Sequence, residues 1–124
     1  MNKKILIVDD EKLIVKMSSI ILEQAGYHTT GVNDGESALE IVISLAPDLI
    51  LLDLMMPGLD GFQVLERLKS DDNVKDIPVI IVSALEEKEN IDRARSLGAT
   101  DYIVKGSGPR KLVDIVNALF GEPV

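Results

Sequence analysis

The stretch LILLDLMMPGLDG, residues 49–61, decides the fold. Its first four residues, Leu49-Ile50-Leu51-Leu52, form a short, continuous apolar run of the kind found in strands covered on both faces. The run ends in a carboxylate, Asp53, and then in the turn Met55-Met56-Pro57-Gly58. An apolar strand that delivers a charge to its own end needs a reason, because desolvating a carboxylate is costly.

Outward from that stretch, the same event recurs. Ile5 to Val8 runs into Asp9-Asp10-Glu11, Val79 to Val82 into Ser83, and Tyr102 to Val104 into Lys105. A fifth run, Tyr27 to Val32, carries two threonines and a histidine and suits a more exposed strand. Helical patterns fill the intervals. Residues 11–25 place Ile14, Met17, Ile21 and Ala25 on one stripe and stop at Gly26. Residues 35–46 follow Asp34 as N-cap, turn Ala38, Leu39, Val42 and Leu45 inward, and precede Pro47. Residues 61–70 follow Asp60, whose spacing to Gln63 is that of a capping box. Residues 87–97 offer only the narrow stripe Ile91, Ala94 and Leu97 before Gly98. Residues 109–120 open on Pro109, carry Leu112, Val113, Val116, Leu119 and Phe120, and stop at Gly121. Strand then helix, five times over, predicts an α/β fold: a doubly wound parallel sheet with helices on both faces and right-handed crossovers.

Composition narrows the chemistry. A chain of 124 residues suits one domain and needs no covalent staple. It has no cysteine, which removes disulfides, thiolate metal sites and cysteine nucleophiles. Its one histidine, His28, cannot build a multi-histidine zinc site and reads as a surface residue. The net charge is −8, with lysines and arginines scattered, so the basic footprint of direct nucleic-acid binding is missing. No apolar stretch reaches the length of a membrane span. The four apolar residues after Met1-Asn2-Lys3-Lys4 are too few for a signal peptide, so the expected location is cytoplasmic. Residues 1–121 read as the domain and 122–124 as a tail or the start of a linker.

In an open parallel sheet, ligands bind beyond the carboxyl ends of the strands. Neighbouring strands lie about 4.8 Å apart. If the first, third, fourth and fifth strands are neighbours, Asp9, Asp10, Asp53, Ser83 and Lys105 share one crevice. Three crowded carboxylates repel, and a hard cation such as Mg²⁺, content with one or two carboxylates, a carbonyl and waters, resolves the conflict. A carboxylate beside Mg²⁺, an ammonium and a hydroxyl can attack a phosphoryl group and form an aspartyl phosphate. Asp53 is the best nucleophile, because its strand reads as central and the turn after it leaves room above the carboxylate.

These same residues carry a resemblance. The segments ILIVDDE (5–11), PDLILLDLMMPGLDG (47–61), PVIIVSA (78–84) and GATDYIVK (98–105), in this order and spacing, closely resemble the receiver domains of bacterial two-component response regulators over essentially the whole chain. The resemblance implies a flavodoxin-like sheet in the order 2-1-3-4-5. It implies a phosphoprotein of signal transduction, with Asp53 as phosphoacceptor and Mg²⁺ held by Asp53, Asp10, the backbone carbonyl of Met55 and, through water, Asp9. Lys105 would pair with the aspartyl phosphate, the Ser83 hydroxyl would move toward it, and Tyr102 would be the aromatic switch that turns inward when Ser83 moves. The fourth helix, fifth strand and fifth helix would form the responding surface. The donor would be a sensor histidine kinase, a histidine phosphotransfer protein of a phosphorelay, or a small acyl or amido phosphate. The chain would be a monomer or a phosphorylation-dependent dimer that regulates a protein partner. It would act only in its own phosphorylation and dephosphorylation, not as an enzyme on other substrates.

One departure stands out. Receivers usually carry proline after the lysine, in a cis bond; here Gly106 takes that place. A cis bond without proline costs about 2.5–4 kcal/mol, so the Lys105–Gly106 bond is expected to be trans, or its loop mobile. Three competing readings remain. A phosphorylation-independent receiver-like binding module is kept open by Gly106. A Mg²⁺-dependent phosphatase would need an acid two residues after the nucleophile, where Met55 stands. A flavin-binding domain would need phosphate donors where Asp9-Asp10-Glu11 repel phosphate. Asp10 alone would read as an N-cap, and Tyr102 alone as a packed strand aromatic.

Overall fold

The computed structural model describes residues 2–121, so the tail at 122–124 lies outside the described residues. Five strands and five helices alternate: β1 (Lys4–Val8), α1 (Lys12–Gln24), β2 (His28–Val32), α2 (Gly35–Leu45), β3 (Leu49–Leu52), α3 (Gly61–Ser70), β4 (Val79–Ser83), α4 (Lys88–Ser96), β5 (Asp101–Val104) and α5 (Pro109–Phe120). All strand pairs are parallel, in the order β2-β1-β3-β4-β5. The sheet order implied by the resemblance is the one observed, and Asp53 follows the central strand.

The apolar runs are continuous because both faces of the sheet are covered. Successive strand residues point to opposite faces. Leu6, Val8, Ile50, Leu52, Val79 and Ile81 join residues of α2, α3 and α4, among them Val42, Leu65 and Ala94. Ile5, Ile7, Leu49, Leu51, Ile80 and Ile103 face Leu22 of α1 and Leu112 and Val116 of α5. The edge strand β2 carries no fully buried residue, as its threonines foretold, and His28 is exposed.

The helix ends follow the expected signals. Asp34 accepts from Ser37 N–H at 2.7 Å. Asp60 and Gln63 form the full capping box, at 2.9 Å in each direction. The stripe expected on α1 is displaced: Leu22 is fully buried, whereas Met17 is half exposed and Ala25 exposed. Seven apolar residues between Leu13 and Leu22 nearly surround this helix, so more than one stripe was available, and packing against β1, β2 and α5 selects the one through Leu22. Among the described residues no helix is long and apolar enough to cross a membrane.

Candidate functional site

Parallel register brings the acidic strand ends together. Val8 of β1 lies opposite Leu52 of β3, so Asp9 and Asp53 emerge side by side. The chain is tied at both points: Asp9 N–H donates to Val32 O at 3.2 Å and Asp53 N–H to Val8 O at 2.9 Å. Both carboxylates are buried, while Asp10 is exposed. Oxygen atoms of Asp9, Asp10 and Asp53 all lie within 4.8 Å of one another. The Asp9 carboxylate also accepts from Glu11 N–H at 3.0 Å, and Asp53 from Met55 N–H at 3.4 Å. The N-cap of α1 is Glu11, without a side-chain cap, so capping does not account for Asp10. Beyond Asp53 the loop closes tightly: Gly61 N–H donates to Leu54 O at 2.9 Å. A Cβ at Gly61 would stand 2.1 Å from the Asp53 carbonyl oxygen, so only glycine fits.

The opposing charge arrives from β5. The Lys105 ammonium lies 2.8 Å from Asp9, 3.3 Å from Asp53 and 3.4 Å from Glu11. Its backbone N–H is anchored on Ser83 O at 2.8 Å. No peptide bond among the described residues is cis, which agrees with the trans expectation for Lys105–Gly106. The chain instead makes a turn in which Ser107 N–H reaches Val104 O at 3.3 Å and Gly106 takes φ 88°. A positive φ at the third residue of such a turn calls for glycine. Gly106 is therefore a different solution to aiming Lys105, and the ammonium still reaches the pocket.

Burial, then the charge of Asp9, pushes the Asp53 carboxyl above the usual carboxylate value, and Lys105 pulls it back only in part. Burial works against the Lys105 ammonium, yet its hydrogen bond to Asp9 and the charges of Asp53 and Asp9 leave it above the usual lysine value. Ser83 is completely buried, and its Oγ accepts from Leu85 N–H at 3.2 Å. The Tyr102 hydroxyl donates to Leu85 O at 2.6 Å. Burial raises the Tyr102 phenol above its ordinary value.

The family model of the response regulator receiver domain matches residues 5–117. This chain belongs to that family. The phosphate regulon transcriptional regulatory protein PhoB of Pseudomonas aeruginosa is 42% identical over 118 residues, which cover 95% of this chain and 52% of that protein. The DNA-binding response regulator MtrA of Mycolicibacterium smegmatis is 37% identical over 95% of this chain and 50% of its own length. The receiver thus spans about half the length of the curated relatives it matches. Among solved structures, the receiver domain of Francisella response regulator 1452 superposes with a TM-score of 0.90 at 36% identity, covering 97% of this chain and 98% of that one. The BeF3-activated receiver domain of Klebsiella pneumoniae RstA gives 0.86 at 27% identity, covering 93% and 96%.

The receiver's acidic cluster fits a hard divalent cation. It offers three carboxylates within reach of one ion, one of them open to solvent. Two participants escaped the sequence reading. Glu11 supplies the outer carboxylate on Lys105, and the Leu85 backbone donates to Ser83 and accepts from Tyr102. In the sequence Glu11 is only the end of an acidic run, and no residue-type signal marks a backbone partner such as Leu85. Of the two loop methionines, Met56 is buried and Met55 is exposed.

Proposed function

We propose that residues 1–121 form a phosphorylation-operated switch in which Asp53 is the phosphoacceptor. One Asp53 oxygen attacks the phosphorus of a phosphohistidine on a sensor kinase or phosphotransfer protein, or of a small acyl or amido phosphate. The O–P bond forms as the bond from phosphorus to the leaving nitrogen or oxygen breaks, and the leaving group takes up a proton from solvent. The observation that carries this reading is the Lys105 ammonium 3.3 Å from a buried Asp53 that already shares its pocket with Asp9. Lys105 then pairs with a phosphoryl oxygen, while the Ser83 hydroxyl leaves Leu85 N–H and donates to another. Tyr102 follows the freed loop, and the α4–β5–α5 face changes for a protein partner.

Asp10, Asp53, the Met55 carbonyl and, through water, Asp9 would hold Mg²⁺. When bound, the ion supplies charge neutralisation for the incoming phosphoryl oxygens. We place this chemistry in the cytoplasm. The test is intact-protein mass spectrometry after incubation with phosphoramidate, with and without Mg²⁺. One added phosphoryl group, dependent on Mg²⁺ and absent from Asp53→Asn, is expected. An unmodified parent protein sinks the proposal.

A further inference from the structure

The α4 helix is lightly held. Ala94 is its one buried residue, and Ile91 and Leu97 are only partly covered. An open groove of about 490 Å³ separates it from the loop after Asp53, with Met55, Met56 and Phe62 on one side and Leu85 and Arg93 on the other. One side chain crosses that gap: the Arg93 guanidinium lies 4.0 Å over the ring of Phe62, the second residue of α3. The α4 charges on either side are engaged elsewhere, Lys88 with Asp92 at 2.7 Å and Arg95 with Asp101 at 3.9 Å. Among the described residues Arg93 makes no ion pair.

Phe62 is in turn tied to the phosphoacceptor loop. Its predecessor Gly61 packs so closely on the Asp53 carbonyl that no Cβ fits between them, and Gly61 N–H is bonded to Leu54 O. A displacement of the backbone at Asp53 must therefore carry the first turn of α3, and the Phe62 ring with it. Packed elements transmit such movements because they cannot deform continuously. The geometry points to Arg93 as the residue that couples α4 to the Asp53 loop through Phe62, by a path separate from the one through Ser83, Leu85 and Tyr102. This rests on the phosphoacceptor reading and adds to it a second mechanical link.

The test is amide hydrogen exchange across residues 88–96 in the whole chain, with Mg²⁺ present and with or without beryllofluoride. The parent is compared with Arg93→Ala and Arg93→Lys. Arg93 is exposed, so neither change threatens the fold, and unchanged exchange in β3 checks that point. Without beryllofluoride, Arg93→Ala is expected to speed α4 exchange by about two- to fivefold, the size of one surface cation–π contact. Its α4 is also expected to respond less than the parent's to beryllofluoride, while the Tyr102 ring resonances still shift. Arg93→Lys keeps the charge but loses the planar stack, and falls nearer to the alanine variant. If the parent α4 responds and Arg93→Ala responds equally, the Arg93 path is wrong. If the parent shows no response anywhere, the phosphoacceptor reading fails and this inference fails with it.

Discussion

Ser83 and Tyr102 are joined through one residue: Ser83 Oγ accepts from Leu85 N–H at 3.2 Å, and the Tyr102 hydroxyl donates to Leu85 O at 2.6 Å. A single stretch of backbone between β4 and α4 thus feels both side chains. Ser83→Ala leaves Leu85 N–H without its acceptor, at a cost of about 1 kcal/mol. The Tyr102 ring resonances, followed by NMR, are then expected to stop responding to beryllofluoride. Tyr102 shifts equal to those of the parent would separate the two residues.

Asp53, the proposed acceptor, carries a stability cost. Its folded pKa lies above the ordinary value, so the folded state holds the proton more tightly than the unfolded chain does. At pH below the ordinary carboxylate range both states are protonated and the cost vanishes. It develops as pH rises through that range and is complete above the folded pKa. Asp53→Asn is therefore expected to raise the urea midpoint at pH 7, with the gain shrinking toward acid pH. A midpoint at or below the parent's would contradict this.

The Lys105 ammonium competes for the carboxylates that would hold a cation, at 2.8 Å from Asp9 and 3.3 Å from Asp53. Lys105→Met should tighten Mg²⁺ binding by about tenfold, equivalent to roughly 1.4 kcal/mol. The same change should slow phosphorylation by phosphoramidate. Calorimetric titration with magnesium chloride reads the first effect and intact-protein mass spectrometry the second. Weaker Mg²⁺ binding in this variant would show that Lys105 is not a competitor.

Restoring the commoner family residue at position 106 should harm this receiver. Gly106 sits at φ 88°, which the proline ring cannot adopt. Gly106→Pro should cost more than about 1 kcal/mol in urea denaturation, and Gly106→Ala about 1 kcal/mol. A Gly106→Pro variant as stable as the parent would show that the loop readily adopts another turn.

The strands were legible because burial on both faces leaves little but Ile, Val and Leu in β1, β3 and β4. The crevice was legible because parallel strands end on the same side, so Asp9, Asp53, Ser83 and Lys105 had to meet once those strands were neighbours. What stayed hidden depends on packing between distant side chains. Arg93 over Phe62 and Glu11 on Lys105 leave no periodic trace. Leu22 could not be told from Met17 on a helix apolar almost all round. The left-handed Ala46 that ends α2, at φ 48°, is a backbone fact that an alanine does not announce.

Lys105 follows β5, an edge strand that pairs only with β4, and its carboxylate partners are synthesised more than fifty residues earlier. A ribosome-bound nascent chain that stops short of residue 105 therefore presents three carboxylates and no ammonium. Lys105 is thus the last charge of the crevice to be added during translation, and the pocket is electrically incomplete until then.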